Sequence, residues 1–440
     1  MTFCEIFSQS RWPNKLYHHS WKSIMLTVGK AQERILALAG QLDNESVSLA
    51  DAIGRVLAAD VASDVDSPPY DKSLMDGFAL SSKSFAGPAA PLRVIETITA
   101  GELPRCDVGA GEATRIMTGA PLPRGADAVV MFEQTESTAD VVKILAEKVN
   151  SEQNILRRGT VMQSGEVVLQ AGRTLGPIDI GLLGEVGHDP VRVTRRAKVA
   201  VLATGNELVD AAGVPAAGCI RNSNGPMVAS QAADQGAIVR DLGIGRDDEA
   251  HLRELIGRGL ESDILVLSGG VSAGDLDLVP NTLAALGVEK AFHGVEVKPG
   301  KPLWVGTYQK QSEAKRTLVF GLPGNPVSSL VCFHLFVIPA LRKMTGQRSS
   351  LAGRFVGRLQ HDWTHPGGRE TYFPGHVQSS DGGLVVQLCP WKGSADQRSL
   401  VDANALVVFP KERTLYEANS TVEFEWLRAM DSVEKVEVNG

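Results

Sequence analysis

The sequence of 440 residues has little cysteine, few aromatic residues and no excess of positive charge. Its five cysteines are scattered without a close pair, so neither a disulfide framework nor a cysteine zinc site is indicated. That cysteine usage fits a reducing cytoplasm. The formal net charge of -7 argues against a nucleic-acid-binding protein, because such proteins present a basic surface. Any anion that the protein binds must therefore be held by local groups.

A hydrophobic run long enough to span a bilayer is also missing. The longest apolar stretch, residues 330–341, is shorter than the roughly 20 residues that a membrane-spanning helix needs, and it contains His334 and Pro339. We predict a core helix there and no membrane association. Residues 1–24 lack the continuous apolar core of a secretory signal, so we interpret them as an N-terminal extension, with Met25 as an alternative start.

The patterns that are present divide the chain into several domains, and 43% hydrophobic residues provide enough material for their cores. Apolar residues at helical spacing predict helix from about Leu26 to Ala59 and again near residues 173–189. Between them, residues 61–155 alternate Gly, Pro and Thr with short β-branched runs, which predicts an inserted β-rich domain. We assign residues 25–60 and 156–194 to one discontinuous helical domain.

Strands and helices alternate after Arg195. The predicted strands lie at residues 197–203, 237–242, 264–267 and 317–320, and the predicted helices at residues 227–235, 249–260, 278–286 and 327–341. This alternation predicts an α/β domain over residues 195–345 with a mostly parallel sheet and right-handed crossovers. Short alternating runs over residues 346–430 predict a C-terminal β-barrel or sandwich.

Three predicted strands end in unusual loops, with the sequences ATGNEL, SGGVSAGDLD and GLPGNPVSS. In an open parallel sheet, ligands bind where strands end and feed into loops. The chain has neither GxxxxGK[ST] nor a well-formed GxGxxG, so a nucleoside triphosphatase and a dinucleotide-binding protein have no support. The loop SGGVSAGDLD alone is equally compatible with a tight turn and with anion binding. The three loops together predict a binding site.

Charged side chains accompany these loops. Lys298 and Lys301 flank a Pro-Gly turn, which is compatible with solvated surface lysines and with a rigid oxyanion site. Asp247, Asp248, Asp275 and Asp277 offer the oxygen ligands that Mg²⁺ prefers, but each is equally placed to cap a following helix. The sequence leaves both alternatives open.

Further polar stretches lie outside the α/β domain. PPYDKSLMDGFAL, residues 68–80, places Asp71, Ser73 and Asp76 in the β-rich domain, where turn chemistry alone would explain them. GGRETYFPG and WKGSADQRSLVDAN, in the C-terminal domain, contain more polar and glycine residues than a connector needs.

Seven stretches, in this order, resemble the molybdopterin molybdenumtransferase family, the MoeA proteins and the gephyrin E domain: PPYDKSLMDGFAL, RIMTGAPLPRGADAVVMFEQT, ATGNEL, SGGVSAGDLD, KPGKP, GLPGNPVSS and GSADQRSLVDANALVVFP. The resemblance covers roughly residues 27–425. It implies a multidomain α/β plus β fold in an elongated homodimer. The parts are a split helical segment, an inserted β-rich domain, a molybdopterin-binding α/β domain and a C-terminal β-barrel-like domain.

The implied reaction is the last step of molybdenum cofactor assembly, in which molybdate enters the dithiolene of adenylylated molybdopterin and AMP leaves. Mg²⁺ is the implied cofactor, because a phosphoanhydride is broken. The sulfur ligands of molybdenum belong to the dithiolene of the substrate, which explains why the protein needs no cysteine to bind molybdenum. The implied partners are the molybdopterin adenylyltransferase and the enzymes that accept the cofactor, in the cytoplasm.

The resemblance also implies roles for individual residues. For Mg²⁺ binding or anhydride cleavage these are Asp247, Asp275 and Asp277, with Glu207 nearby. For the molybdate pocket they are Lys298, Lys301, Ser328, Arg369 and Ser394. For the turns that approach the pterin and its phosphate they are Ser268, Gly269, Gly270, Ser272, Pro323, Gly324 and Asn325. Asp71, Asp76 and Thr118 would come from the β-rich domain of the other subunit.

Some positions depart from the family pattern. Lys72, Leu74 and Phe78 stand where asparagine, alanine and tyrosine are frequent, and Asn206 replaces a common aspartate. Arg369 lies in a stretch that matches only loosely. Two alternative functions are a stand-alone molybdopterin adenylyltransferase, whose domain the α/β part resembles, and a non-catalytic scaffold of the gephyrin type.

Overall fold

The computed structural model describes residues 25–88, 90–271, 278–310 and 315–428. The chain divides into two compact units. Unit 1 comprises Met1–Gly40, Lys198–Leu341 and Leu351–Gly440, as far as these are described, and unit 2 comprises Gln41–Ala197 and Arg342–Ser350. The finer domain boundaries predicted from the sequence stay predictions.

Unit 1 contains a six-stranded sheet with a mostly parallel core, as predicted. Its first four strands run parallel, and the last two pair antiparallel. The strands follow the order Ile238–Gly245, Lys198–Thr204, Ile264–Ser268, Arg316–Leu322, Trp304–Gln309 and Glu289–His293. Every residue of Ile264–Ser268 is buried. Such continuous apolar strands form because both faces of a parallel sheet are covered by helices.

The covering helices agree with the predicted pattern. They are Asn224–Asp234, Glu249–Gly259, Leu278–Ala285 and Pro326–Cys332, the last continuing through a π-helical segment Phe333–Val337 into Ile338–Met344. The stretch Pro326–Met344 is long and apolar enough to cross a membrane by length and composition alone, but 83% of its apolar window is buried inside the protein. It is therefore a core helix, as predicted. Val28–Leu38 also belongs to unit 1, and Gln32 donates to the Leu335 carbonyl.

The C-terminal strands of unit 1 close into a five-stranded barrel, because the last strand in the sheet order, Ala405–Phe409, also pairs with Glu370–Ser380 and completes a ring of five pairings. The other barrel strands are Phe355–Leu359, Gly383–Leu388, Ala405–Phe409 and Thr421–Trp426. Closure removes the exposed edges that an open sheet would leave. Phe373, Phe409 and Phe424 fill the interior. Two short sheets pair Trp363–Thr364 with Leu415–Tyr416 and Leu208–Val209 with Ile220–Arg221.

A short strand between two strands of the α/β sheet, Glu289–His293 and Trp304–Gln309, pairs with the barrel instead. Val297–Lys298 pairs parallel with Glu370 and Thr371 at the start of a barrel strand. The backbone around Lys298 and the backbone around Arg369 are therefore held side by side.

Unit 2 contains the predicted β-rich domain. Its six-stranded sheet has the order Ala128–Met131, Gly77–Leu80, Glu112–Ile116, Pro91–Ile98, Val141–Ile144 and Thr135–Ser137. Smaller pairs join Val61–Ala62 with Val167–Leu169, Lys72–Ser73 with Ile155–Leu156, and Asn44–Val47 with Val191–Thr194. Pro177–Glu185 forms the helix predicted near residues 173–189.

The predicted helix from Leu26 to Ala59 is wrong over most of its length. Helix is present only at Val28–Leu38; the chain then forms the strand Asn44–Val47 and a short 3-10 turn at Leu49–Asp51. Asn44–Val47 pairs with Val191–Thr194, far along the chain, and this pairing outweighs the local apolar spacing.

Candidate functional site

A cavity of about 600 Å³ lies in unit 1, where loops of the α/β part meet loops of the barrel. Its cationic lining residues are Lys298, Lys301, Arg369 and Lys392. Its polar lining includes Asn325, Ser328, Ser394, His365 and Thr371, and its aromatic lining Trp363, Phe373 and Trp391. The five residues implied in the molybdate pocket therefore line one cavity.

The charge of this cavity has one sign. Four cationic side chains line it, and its lining residues, all within the described chain, include no carboxylate. The net charge of the whole protein is negative, so this concentration of positive charge is a local feature. Cations that are not neutralised by carboxylates attract an anion, and hydroxyl groups beside them donate further hydrogen bonds to its oxygens.

The Pro-Gly turn between Lys298 and Lys301 is fixed by close packing. Gly300 has φ +115°, and a Cβ atom there would lie 2.5 Å from the sulfur of Cys332. The Lys301 carbonyl accepts from the Val295 backbone at 3.0 Å. Burial raises the pKa of the Cys332 thiol, which keeps it protonated beside the cavity. The turn is therefore rigid, as the oxyanion interpretation of the two lysines requires.

The barrel side of the cavity is attached to the start of the core helix. The Asn325 side-chain amide donates to the Ser394 hydroxyl at 2.9 Å, and the Val327 backbone donates to the Ser394 carbonyl at 3.0 Å. Ser328, one residue further along, is buried in the cavity wall. Ser328 and Ser394 are thus brought together although 65 residues of sequence lie between them.

Arg369 is held by the neighbouring strand, since its guanidinium donates to the Val297 carbonyl at 3.0 Å. The structure places Arg369 in the cavity although its sequence stretch matches the family pattern only loosely. Trp363, Trp391 and Lys392 were not singled out from the sequence; the unusual composition of residues 391–404 was the only signal for Trp391 and Lys392, and Trp363 had none.

A second group of predicted residues lies at the carboxyl ends of two parallel strands. The Asn224 side chain links the ends of the two strands, because its amide donates to the Ser268 hydroxyl at 2.9 Å and to the Gly324 carbonyl at 2.7 Å. The Asn224 side-chain oxygen is buried and has no hydrogen-bond partner among the described residues. Sequence reasoning missed Asn224, since a single asparagine at a helix start carries no distinguishing signal.

Gly269 and Gly270 are required by packing of the chain itself. They have φ +95° and +63°. A Cβ atom at Gly269 would lie 2.6 Å from the Thr204 carbonyl oxygen, and one at Gly270 would lie 2.9 Å from the Thr204 hydroxyl. The loop is therefore a tight turn, and its glycines do not by themselves indicate a ligand. The predicted residues Ser272, Asp275 and Asp277 lie outside the described residues.

The structure distinguishes Asp247 from Asp248 in the choice between helix capping and metal binding. Asp248 caps Glu249–Gly259 by accepting from the His251 backbone at 2.7 Å. The capping side chain is that of Asp248 and not that of Asp247, whose backbone donates to the Asn206 side chain at 3.0 Å. The Glu207 carboxylate folds over Gly205 on the same neighbouring loop. Among the described residues, no group of three or more His, Cys, Asp or Glu side chains is placed to hold a metal.

The predicted residues of the β-rich domain form two contacts in unit 2. Asp76 accepts from the backbone and the hydroxyl of Thr118 at 2.6 and 2.8 Å, and the backbone bond is the main cause of the lowered pKa of Asp76. Burial alone would raise the pKa of Asp71, but the Arg158 backbone and the Arg157 guanidinium outweigh it and lower the pKa. Both carboxylates are therefore ionised at neutral pH.

Phe78 replaces a frequent tyrosine and is fully buried in this domain. Its ring packs edge-on against Phe132 at a centroid distance of 5.4 Å. A phenol hydroxyl at this position would need a buried partner, so the packing accounts for the departure.

Fold and cavity together define a multidomain α/β protein with a cation-lined cavity. Three family models match consecutive parts of the chain: the MoeA N-terminal region (domain I and II) at residues 26–187, the probable molybdopterin binding domain at residues 200–343, and the MoeA C-terminal region (domain IV) at residues 356–427. The chain belongs to the molybdopterin molybdenumtransferase family, a family of enzymes of molybdenum cofactor biosynthesis, as its motifs predicted.

Relatives with this name are similar over nearly their whole length. The molybdopterin molybdenumtransferase of Staphylococcus aureus is 33% identical over 403 residues, which cover 90% of this chain and 94% of the relative. That of Nostoc sp. is 34% identical over 429 residues, covering 95% and 97%. The solved molybdopterin biosynthesis MoeA protein of Pyrococcus horikoshii is 28% identical with a TM-score of 0.78, covering 91% of this chain and 100% of that one.

Proposed function

We propose that the protein inserts molybdate into adenylylated molybdopterin and releases AMP, the final step of molybdenum cofactor biosynthesis. The observation that carries this proposal is the cavity with four cationic side chains and no carboxylate in its lining. Molybdate is a tetrahedral dianion, and such a cavity stabilises it by charge-assisted hydrogen bonds. Family membership supports the identity of both substrates.

The cavity has the groups that molybdate positioning needs. Lys298, Lys301 and Arg369 supply charge, and Ser328 and Ser394 supply hydroxyl donors. Cys332 lies beside this group but is completely buried with a raised pKa, so it is unsuited to ligate molybdenum. The sulfur ligands would come from the dithiolene of the substrate, and the protein would orient the two reactants.

We place the pterin and its phosphate at the loops that contain Ser268, Gly269 and Gly324. The buried, unpartnered oxygen of Asn224 and the open space beside the Gly324 backbone support a ligand approaching there. Pro323 and Asn325 connect this region to the cation-lined cavity, because both also line that cavity.

The donor set near these loops fits Mg²⁺, which prefers oxygen ligands and retains several waters. Asp247 and Glu207 lie on neighbouring loops at the carboxyl ends of two paired parallel strands. Asp275 and Asp277 follow the strand on the other side of Lys198–Thr204 in sequence. When bound, Mg²⁺ would neutralise the phosphoanhydride charge as AMP leaves. Asp248 is excluded from this role because it caps a helix.

The function is tested by adding molybdate to the purified protein with adenylylated molybdopterin. AMP should be released only when molybdate is present, and the release should require Mg²⁺. A scaffold would release none, and an adenylyltransferase would consume ATP instead. Either result would overturn the proposal.

We further propose a cytoplasmic homodimer in which Asp71, Asp76 and Thr118 of one subunit complete the site of the other. Support comes from the exposed, ionised Asp76 carboxylate, which is held by the backbone and the hydroxyl of Thr118. The adenylyltransferase and the cofactor-accepting enzymes are the proposed protein partners. The predicted domain boundaries at residues 60, 155, 194 and 345 are part of the same proposal.

Mixing two variants that are each impaired at limiting molybdate tests the shared site. Asp76→Ala and Lys301→Ala chains, refolded together, should recover part of the AMP release, because some heterodimers hold one intact site. The recovered rate should approach about a quarter of the wild-type rate if half of the chains form heterodimers with one working site. Mixing Asp76→Ala with Asp76→Ala is the control. No recovery in proven heterodimers would contradict a site shared between subunits.

A further inference from the structure

His365 is a buried histidine in the wall of the cation-lined cavity, with only 1% of its surface exposed. One ring nitrogen, Nε2, lies 2.9 Å from the Thr371 hydroxyl, and the other, Nδ1, lies 3.3 Å from the Arg413 carbonyl. The ring stacks on Phe409 at a centroid distance of 5.7 Å. Neither the sequence motifs nor the proposed chemistry uses this side chain.

The directions of these hydrogen bonds follow from the partners. A backbone carbonyl can only accept, so Nδ1 donates to Arg413. In the neutral ring, Nε2 must then accept from the Thr371 hydroxyl. The same hydroxyl lies 3.2 Å from the Arg369 carbonyl, which is a second acceptor for its hydrogen.

The His365–Thr371–Arg369 chain therefore has two states, and both ring nitrogens are hydrogen-bonded in each of them. With a neutral ring, the Thr371 hydroxyl donates to Nε2. With a protonated ring, Nε2–H donates to the Thr371 oxygen, and the hydroxyl turns to the Arg369 carbonyl. The His365 ring nitrogens keep their partners in both states, and only the Arg369 carbonyl gains or loses the Thr371 hydroxyl as a donor, so the change needs little more than rotation of one hydroxyl.

The charged groups that line the cavity with His365 are cations. The charge of Lys298 acts on the ring from the strand beside Thr371, and Arg369 lines the same cavity. Arg413 faces the ring through its carbonyl, while its guanidinium packs over Tyr416. Burial is the main cause of the lowered pKa of His365, and the charge of Lys298 adds to it, while the Arg413 carbonyl opposes it. The ring is therefore neutral at neutral pH while the cavity holds no anion.

We propose that His365 is a positioning residue that takes up one proton from solvent when an oxyanion enters the cavity, and that Thr371 relays this change to the backbone of Arg369. This inference rests on the proposed function, since the oxyanion is molybdate. The proton binds at Nε2, and no other bond is made or broken. A dianion near the ring favours its charged form, because opposite charges attract at short distance in a partly dry site.

The sign of the pH dependence follows from linkage. Anion binding raises the pKa of His365 above its lowered value in the anion-free cavity. Between these two pKa values, binding takes up a proton, so affinity for molybdate falls as pH rises, by up to about tenfold per pH unit. Outside this window the affinity is independent of pH, since His365 has the same protonation state in both forms.

Calorimetric titration of the full chain with molybdate between about pH 6 and pH 8.5 tests the proposal. Titrations in two buffers with different ionisation enthalpies should show uptake of up to about one proton per anion bound. His365→Asn keeps a donor for the Arg413 carbonyl and should bind molybdate without proton uptake. Persistence of the same proton uptake in His365→Asn would overturn the inference.

Thr371 offers a matched pair of variants. Thr371→Ser keeps the hydroxyl and should keep the proton uptake, whereas the isosteric Thr371→Val removes it and should lose the uptake. If Thr371→Val does not fold, His365→Asn and Thr371→Ser still decide the question.

Molybdate binding with no proton uptake in the wild-type protein would contradict only this inference. No molybdate binding at any pH would contradict the proposed function.

Discussion

Replacing Lys298 with alanine should raise the molybdate concentration needed for half-maximal AMP release about tenfold to a hundredfold. A hydrogen bond to a charged group is worth about 1.5 to 3 kcal/mol, which corresponds to this range of affinity. Lys298 is half-buried in the cavity wall, whereas Lys301 is exposed. We therefore expect the smaller effect, near tenfold, for Lys301→Ala, because water and salt screen an exposed charge.

Calorimetry separates this effect from a general loss of charge. Lys298→Ala should weaken molybdate binding and leave pterin binding largely unchanged, since the proposed function places the two anions in different parts of the site. Lys143→Ala, which removes an exposed lysine of unit 2, is the matched control and should leave both affinities unchanged. Equal loss of both ligands in Lys298→Ala would contradict the proposed division of the site.

The sequence was sufficient to predict the α/β domain and its loops because their signals are local. Strands such as Ile264–Ser268 are continuous apolar runs, and each ends in a glycine-rich loop. Parallel topology then brings those loops to one edge of the sheet. Asn44–Val47 was mispredicted as helix because its partner Val191–Thr194 lies far along the chain, and nothing in the local pattern reveals it.

Prediction of the cavity residues from the sequence is limited in the same way. Lys298 and Lys301 were found from their Pro-Gly turn, and family resemblance pointed to Arg369 and Ser394. The contribution of Lys392 and His365 depends on how the barrel closes and on the hydrogen bonds between Ser394 and the start of the core helix. These contacts join residues with no periodic relation in the sequence, so a pattern cannot predict them.

Replacing Gly269 with alanine should lower the free energy of unfolding by about 2 to 5 kcal/mol. A side chain at φ +95° costs about 1 to 3 kcal/mol in backbone strain, and a Cβ atom 2.6 Å from the Thr204 carbonyl oxygen forces a similar cost in displaced backbone. Thermal unfolding of the purified variant would measure this loss. Unchanged stability would contradict the packing requirement deduced for this turn.

Gly324→Ala is the matched control, and it also tests the pterin site. A Cβ atom at Gly324 would meet only the Gly269 Cα, at 3.8 Å, and the residue is exposed, so stability should change by less than about 0.5 kcal/mol. If the pterin phosphate approaches this backbone, however, the added methyl group must displace it. Gly324→Ala should then bind the pterin substrate more weakly at every molybdate concentration. Unchanged pterin affinity in this stable variant would show that the phosphate lies elsewhere, because a ligand in contact with Gly324 has no room for the methyl group.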